Sequence, residues 1–253
     1  VLLTAPLGIS LITIAIGKKE PLILETVSDP ELAPLALRVL FVFTCAAIWV
    51  GLASSLQEIV KESAIYMRER LVNLGLFAYL GAKQIILSGL ALVQTLLMSI
   101  VILIGFKSPE PDLIPWFLGL VITIFLTLST SIGLGLMVSA SVKNITQANS
   151  ALPLLLIPQI IFSGVLFNME GIGKYISWLM LSRWSVGAYG SLIGIEKLVA
   201  PTSALNPCPS PIKNPEVYTS TWGNLALNWG MLILLAAIYW AITFWIQKRK
   251  DIF

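Results

Sequence analysis

Residues 113–142 read LIPWFLGLVITIFLTLSTSIGLGLMVSASV, without one charged side chain. A helix crosses the hydrocarbon of a bilayer with about 20 mostly apolar residues, so this stretch is long enough to span. Five further stretches share its character: Val1–Gly17, Val39–Gln57, Gln84–Phe106, Asn144–Met169 and Val217–Gln247. Leu, Ile, Val, Phe and Ala dominate all of them, and almost every Lys, Arg, Asp and Glu falls between them. In lipid only helices and closed barrels satisfy their own backbone groups, and unbroken apolar runs lack the alternation of a barrel. The pattern implies an all-α membrane protein with six transmembrane helices.

Composition agrees. Hydrophobic residues make up 57% and charged residues 11%, with a mean hydropathy of +0.89. A soluble domain carries about a quarter charged residues, and a disordered chain does not hold so much apolar surface in water. The net charge of +3 is small, and no basic block precedes the last few residues, so nucleic acid is not an expected partner. Histidine is absent, which removes the commonest general base and metal ligand. There is no phosphate-cradling G-x-x-x-x-G-K-[ST], no G-x-S-x-G and no H-E-x-x-H. Neither catalytic nor metal-binding residues are expected within the chain. Cys45 lies in a span and reads as a small packing residue. Cys208, in a Pro-rich loop, is either a free thiol or one half of an intermolecular disulfide.

The spans are expected near Val1–Gly17, Leu37–Leu56, Ala82–Phe106, Trp116–Ala140, Ala151–Asn168 and Trp222–Gln247. The first is short and lacks the charged start of a signal peptide, so it reads as the tail of a helix that begins upstream. If the C-terminus is cytoplasmic, segments 57–83, 141–150 and 248–253 are inside. They hold as many Lys and Arg as the outer segments in about half the length, and they include the run Lys248-Arg249-Lys250. That density favours both termini inside. No internal repeat is visible, which argues against an inverted-repeat transporter.

Segment 58–73, EIVKESAIYMRERLVN, places Val60, Ala64, Met67 and Leu71 at helical spacing, with charges of both signs around them. It reads as an amphipathic helix on the cytoplasmic surface, either simply solvated or docked to another protein. Mixed charge suits a protein partner better than anionic lipid. The fifth span, ALPLLLIPQIIFSGVLFNM over 151–169, contains Pro153 and Pro158, so a kinked or broken helix is expected. Beyond it Ser163-Gly164 precedes Val165-Leu166, which is either an apolar gate on a small-residue joint or a structural bend. Ser129-Thr130-Ser131, Gly133 and Gly135 in the fourth span read as close-packing residues. The spans hold Gln94, Gln159, Asn224 and Asn228 but no central acid or base, unlike most ion-coupled carriers. Segment 171–198, GIGKYISWLMLSRWSVGAYGSLIGIEKL, is too apolar for a free loop and too interrupted for a span. Its Trp178, Trp184 and Tyr189 suit an interface, so re-entrant helices are expected on the outer side. Arg183 at its centre needs a partner, a backbone carbonyl or Glu196.

Three segments together resemble the membrane domain of ABC exporters of the type-2 permease class, in particular the G-subfamily of eye-pigment, sterol and multidrug transporters. They are QEIVKESAIYMRERLVNLGLFAYLGAK (57–83), IFSGVLFNMEGIGKYISWLMLSRWSVGAYGSLIGIEKL (161–198) and NPCPSP (206–211). The resemblance covers nearly all of residues 1–253. It implies a homodimer in which each half joins an ATP-binding cassette domain, preceding it in the polypeptide, that binds ATP and Mg. It implies that Glu62, Arg68, Glu69 and Arg70 lie on the connecting helix that receives the ATPase stroke. A substrate cavity is implied at Trp49, Val50, Leu156, Ile157 and Ile160, with Val165 and Leu166 as the plug above it. Pro153, Pro158 and the single loop Cys depart from the pattern. The implied activity is export of a hydrophobic or amphipathic molecule, such as a lipid, glycolipid or drug, across the plasma (inner) membrane, with membrane lipids as partners. A permease served by a separate ATPase chain and a non-transporting scaffold or receptor are the rival readings.

Overall fold

The computed structural model describes Leu22 and residues 32–109, 113–167, 169, 171–195 and 215–250. The expected first span, Glu196 and Cys208 lie outside the described residues. Helices are the only regular elements among the described residues. They are α1 (Leu32–Ser55), α2 (Ser63–Arg70, preceded by a 3-10 turn at Val60–Glu62), α3 (Leu76–Gly105), α4 (Trp116–Ser141), α5 (Ile145–Ile161), α6 (Ile172–Trp178), α7 (Leu181–Ile193) and α8 (Trp222–Lys250). α1, α3, α4 and α8 are long and apolar enough to cross a membrane.

α4 is the centre of the bundle, touching α1, α3, α7 and α8. Leu120, Ile124, Leu128, Ile132, Leu136 and Ala140 recur every four residues along it and are all buried. Its other face is buried too, through Thr123, Thr127 and Ser131. Phe117, Leu118 and Ile122 in its first turns face out, but from Thr123 to Ala140 no residue is exposed. A helix so enclosed needs small residues, because lipid supplies no hydrophobic force to press helices together and close contact must do so. The seam with α1 meets that need twice. A Cβ on Gly51 of α1 would lie 1.9 Å from Ser131 Oγ, and one on Gly135 of α4 would lie 2.0 Å from Ser55 Oγ. Gly51-x-x-x-Ser55 therefore faces Ser131-x-x-x-Gly135, and the two helices run parallel.

Element boundaries depart from expectation in three places. α1 begins at Leu32, five residues early, because Pro34 in a first turn removes no intrahelical bond. α3 takes up Leu76–Gly81, which extends it past the expected start at Ala82. The fifth helix is displaced most. The Asn144 side chain accepts the Gln147 N–H at 2.8 Å and caps a helix that starts at Ile145 rather than Ala151. Of the expected kink or break, the break does not occur: one helix runs through Pro153 and Pro158 and ends at Ile161. Its 17 residues reach about 25 Å, short of a hydrocarbon core of about 30 Å. Gly164 then turns the chain at φ +84°, a conformation that favours glycine.

The apolar segment after α5 does form short helices. α7 is buried along its length except at Arg183. Ser185 ties it to the core: Thr127 donates to Ser185 Oγ at 2.8 Å, and Thr44 of α1 lies 3.1 Å from the same oxygen. Gly187 admits Asn228 of α8, and Gly119 of α4 admits Leu192. Arg183 donates to Ser177 Oγ, with its guanidinium 5.4 Å from the Trp184 ring centre and 6.0 Å from that of Trp178.

Candidate functional site

One end of the bundle gathers the connector after α1, the start of α3, the end of α4 and the end of α8. The connector is fixed there by backbone bonds. Ile59 and Val60 N–H both donate to Ser139 Oγ of α4, at 3.0 and 3.1 Å. Gln57 Nε2 donates to Asn149 Oδ1 of α5 at 2.6 Å. Segments 57–83, 141–150 and Lys248–Lys250, grouped by charge density in the sequence, thus share an end.

The charged centre of this end is Lys83, in the third turn of α3. Its ammonium lies 2.7 Å from a Glu62 carboxylate oxygen and 3.0 Å from one of Glu58. Lys61 also pairs with Glu58. Partial burial alone would raise the Glu58 pKa, but Lys61 and Lys83 outweigh it and hold the carboxyl below the usual glutamate range. Next to the clamp, Tyr66 of α2 packs on Tyr79 of α3 with ring centres 4.6 Å apart. Glu62 is among the residues that the resemblance places on the connecting helix; Glu58 and Lys83 are not. Their opposite charges are visible in the sequence, but they stand 25 residues apart and nothing in the spacing pairs them.

Arg68, Glu69 and Arg70 do not join that cluster. All three are exposed on α2, and Arg70 Nη1 donates to the Leu74 carbonyl at 2.6 Å, closing the turn into α3. The expected apolar stripe is also rearranged. Val60 is buried, but Ala64, Met67 and Leu71 are exposed, and Tyr66 is the residue of α2 that reaches the core.

The five expected cavity residues divide. Trp49 on α1 is 47% exposed and Ile157 on α5 is 54% exposed. Val50 and Leu156 are buried inside the bundle, Leu156 in a cluster with Ile48, Leu52 and Trp184, and Ile160 is half-buried. Trp49 belongs to an uncovered stripe with Val42 and Ala53; on α5, Ile157 belongs to one with Leu154 and Ile161. Two neighbouring helices therefore present apolar stripes to the outside, with Arg38 one turn before Val42 at the beginning of the α1 stripe. At its far end Val165 packs half-buried against the core, whereas Leu166 points out, 52% exposed. The Val165 N–H donates to Ser163 Oγ at 3.3 Å, and that hydroxyl donates to the Ile160 carbonyl at 2.9 Å. The turn that carries the pair is thus tied to the end of α5.

Comparison with known proteins identifies the family. Over 227 residues the chain is 28% identical to the ABC transporter ATP-binding/permease protein of Mycobacterium tuberculosis, covering 84% of this chain. It spans only 24% of that relative's length. Residues 14–195 match the ABC-2 type transporter family. With about seven tenths of its sequence matched, a bundle of long apolar helices and a connector pinned to the ends of α3 and α4, the chain belongs to the ABC-2 type transporter membrane-domain family.

Proposed function

We propose that residues 1–253 form the transmembrane domain of an ATP-driven exporter that works as a homodimer in the plasma (inner) membrane, with both termini cytoplasmic. A first and a fifth span, completing six, belong to this reading. The substrate is a hydrophobic or amphipathic molecule such as a lipid, glycolipid or drug. The uncovered stripes of α1 and α5 would meet their counterparts across the dimer, with Trp49 and Ile157 lining the path. Val50, Leu156 and Ile160 support those side chains from behind, and the turn at Val165 and Leu166 closes the outer end. ATP and Mg would bind an ATP-binding cassette domain. The relative's name joins ATP-binding and permease functions in one protein, which supports a fused ATPase over a separate subunit.

The observation that carries the mechanism is the double ion pair of Lys83 with Glu58 and Glu62. A push on α2, which carries Arg68, Glu69 and Arg70, passes through this clamp into α3 rather than dissipating in a loose loop. The resemblance to the G-subfamily adds the expectation that this push comes from ATP closure.

The test is lipid-stimulated ATP hydrolysis by the full-length transporter in proteoliposomes. Glu62→Ala and Arg68→Ala should each abolish the stimulation while leaving the basal rate and the folded state intact. Unchanged stimulation in both variants removes this mechanism. ATP hydrolysis indifferent to every lipid and drug would favour a scaffold or receptor instead.

A further inference from the structure

Behind α2, at the same end of the bundle as the Lys83 clamp, lies a cavity of about 200 Å³. Val60, Ser63 and Tyr66 form one wall, Lys143 just past α4 another, and Gln247 and Lys250 from the last turn of α8 a third. Lys143 and Lys250 are the charged side chains on that wall among the described residues, and both are cationic. The nearby carboxylates of Glu58 and Glu62 are engaged by Lys61 and Lys83, and neither lines the cavity. Gln247 adds an independent observation. It is 4% exposed, and its amide oxygen has no hydrogen-bond partner. Buried polar groups are almost always paired, so an orphaned acceptor beside a cavity marks a place for a donor from outside the chain.

The surroundings indicate where such a ligand comes from. Met67 lines the cavity and is 53% exposed, and Leu71 and Val72, which follow α2 in the chain, are exposed apolar residues. Trp245 of α8 is 53% exposed, with the Arg249 guanidinium 4.0 Å from its ring centre. Tryptophan beside a cation at the end of a spanning helix marks the headgroup level of a bilayer. A ligand with its charged end in the cavity therefore has an apolar surface for its tails.

We propose that this cavity binds the headgroup of an anionic glycerophospholipid, its phosphate between Lys143 and Lys250 and a headgroup hydroxyl donating to the Gln247 amide. The required chemistry is a phosphate ester that also carries a hydroxyl donor. A lipid held there wedges α2 against the ends of α4 and α8 and sets the resting position of the connector. This site is separate from the α1 and α5 surface assigned to transport, and it holds whether or not export is the activity.

The experiment is native mass spectrometry of the full-length protein in mild detergent, supplied with dioleoyl phosphatidylglycerol, phosphatidylcholine or phosphatidylmethanol. The wild type should retain phosphatidylglycerol in preference to phosphatidylcholine. Lys143→Ala combined with Lys250→Ala should lower that retention about tenfold, since each lysine near a phosphate contributes separately. Lys248→Ala, outside the cavity wall, should leave it unchanged. Gln247→Leu should weaken phosphatidylglycerol but not phosphatidylmethanol, which has no headgroup hydroxyl. If the alanine pair does not fold, the Lys143→Gln, Lys250→Gln pair carries the same reading. Equal retention of phosphatidylglycerol and phosphatidylcholine, or equal loss on Lys248→Ala, would overturn the proposal in favour of a diffuse basic surface. Displacement of the lipid by soluble glycerol 3-phosphate would assign the site to a free phosphate ester. Displacement by a glutamate-rich peptide would assign it to an acidic protein segment, and either result overturns the lipid.

Discussion

Lys83 Nζ sits 2.7 Å from a Glu62 oxygen, joining the connector to the helix that follows it. The same ammonium reaches Glu58 at 3.0 Å, so one cation bridges the 3-10 turn at Val60–Glu62, from Glu58 before it to Glu62 at its end. The Lys83 side chain is only 13% exposed, so the pair is less screened than a surface bridge.

Lys83→Met keeps the bulk of the side chain and deletes the charge, leaving two carboxylates close together. The expected stability loss is modest, about 1 kcal/mol, because Glu62 is partly solvated. The functional loss should be larger: lipid stimulation of ATP hydrolysis should fall about tenfold, a barrier of about 1.4 kcal/mol. Thermal denaturation and ATPase assays on the same preparation separate the two. Full stimulation in Lys83→Met would show that force does not pass through α3.

The clamp also predicts an acid limit. Glu58 is held below its ordinary pKa when folded, so its contribution is fully present above the unfolded-state value of about 4.3. That contribution disappears as pH falls through the lower folded value. The thermal midpoint should therefore drop between about pH 5 and pH 3. Glu58→Gln should be less stable at neutral pH and flatter through that window.

The seam between α1 and α4 is intolerant of one methyl group. Gly51→Ala would set a Cβ 1.9 Å from Ser131 Oγ and 3.0 Å from the Leu128 carbonyl oxygen. Overpacking of this kind costs about 1–3 kcal/mol. Ser131→Gly in the same chain removes the nearer clash and should recover part of the loss, the carbonyl contact remaining. A double-mutant cycle on detergent-solubilised protein measures the coupling, and strict additivity would deny the contact.

Ser185 holds α7 between α1 and α4 through Thr44 and Thr127. Ser185→Ala should cost about 0.6 to 1.7 kcal/mol, the range for hydrogen bonds between helices in lipid. Ser185→Thr adds a methyl to a fully buried site and should be worse than alanine. Thermal midpoints of the two variants test that order.

Which faces of α1 and α5 are uncovered was not legible in the sequence as a geometry. Trp49 and Val50 are adjacent, yet one faces out and the other lies in the core. Ile157 and Leu156 divide in the same way. In a soluble helix the polar residues announce the outer face, but in lipid both faces are apolar and periodicity falls silent. The connector shows the opposite case. Its charges advertised a solvated helix, yet Tyr66, not the regular Val60, Ala64, Met67 and Leu71 stripe, supplies the buried anchor.

The sequence by itself determined that long helices cross a membrane, because uninterrupted apolar length is a one-dimensional property and burying a charge in hydrocarbon is costly. It also grouped the connector, the α4–α5 turn and the last turn of α8 on one side through their lysines and arginines. Only the tertiary structure decided which apolar faces pack and which stay bare, that α5 starts at its Asn144 cap and stops short, and that Lys83 closes on Glu58 and Glu62. Those outcomes depend on which small residue meets which neighbour and which charges end up within 3 Å. Such contacts arise between segments far apart in the chain, where no local spacing records them.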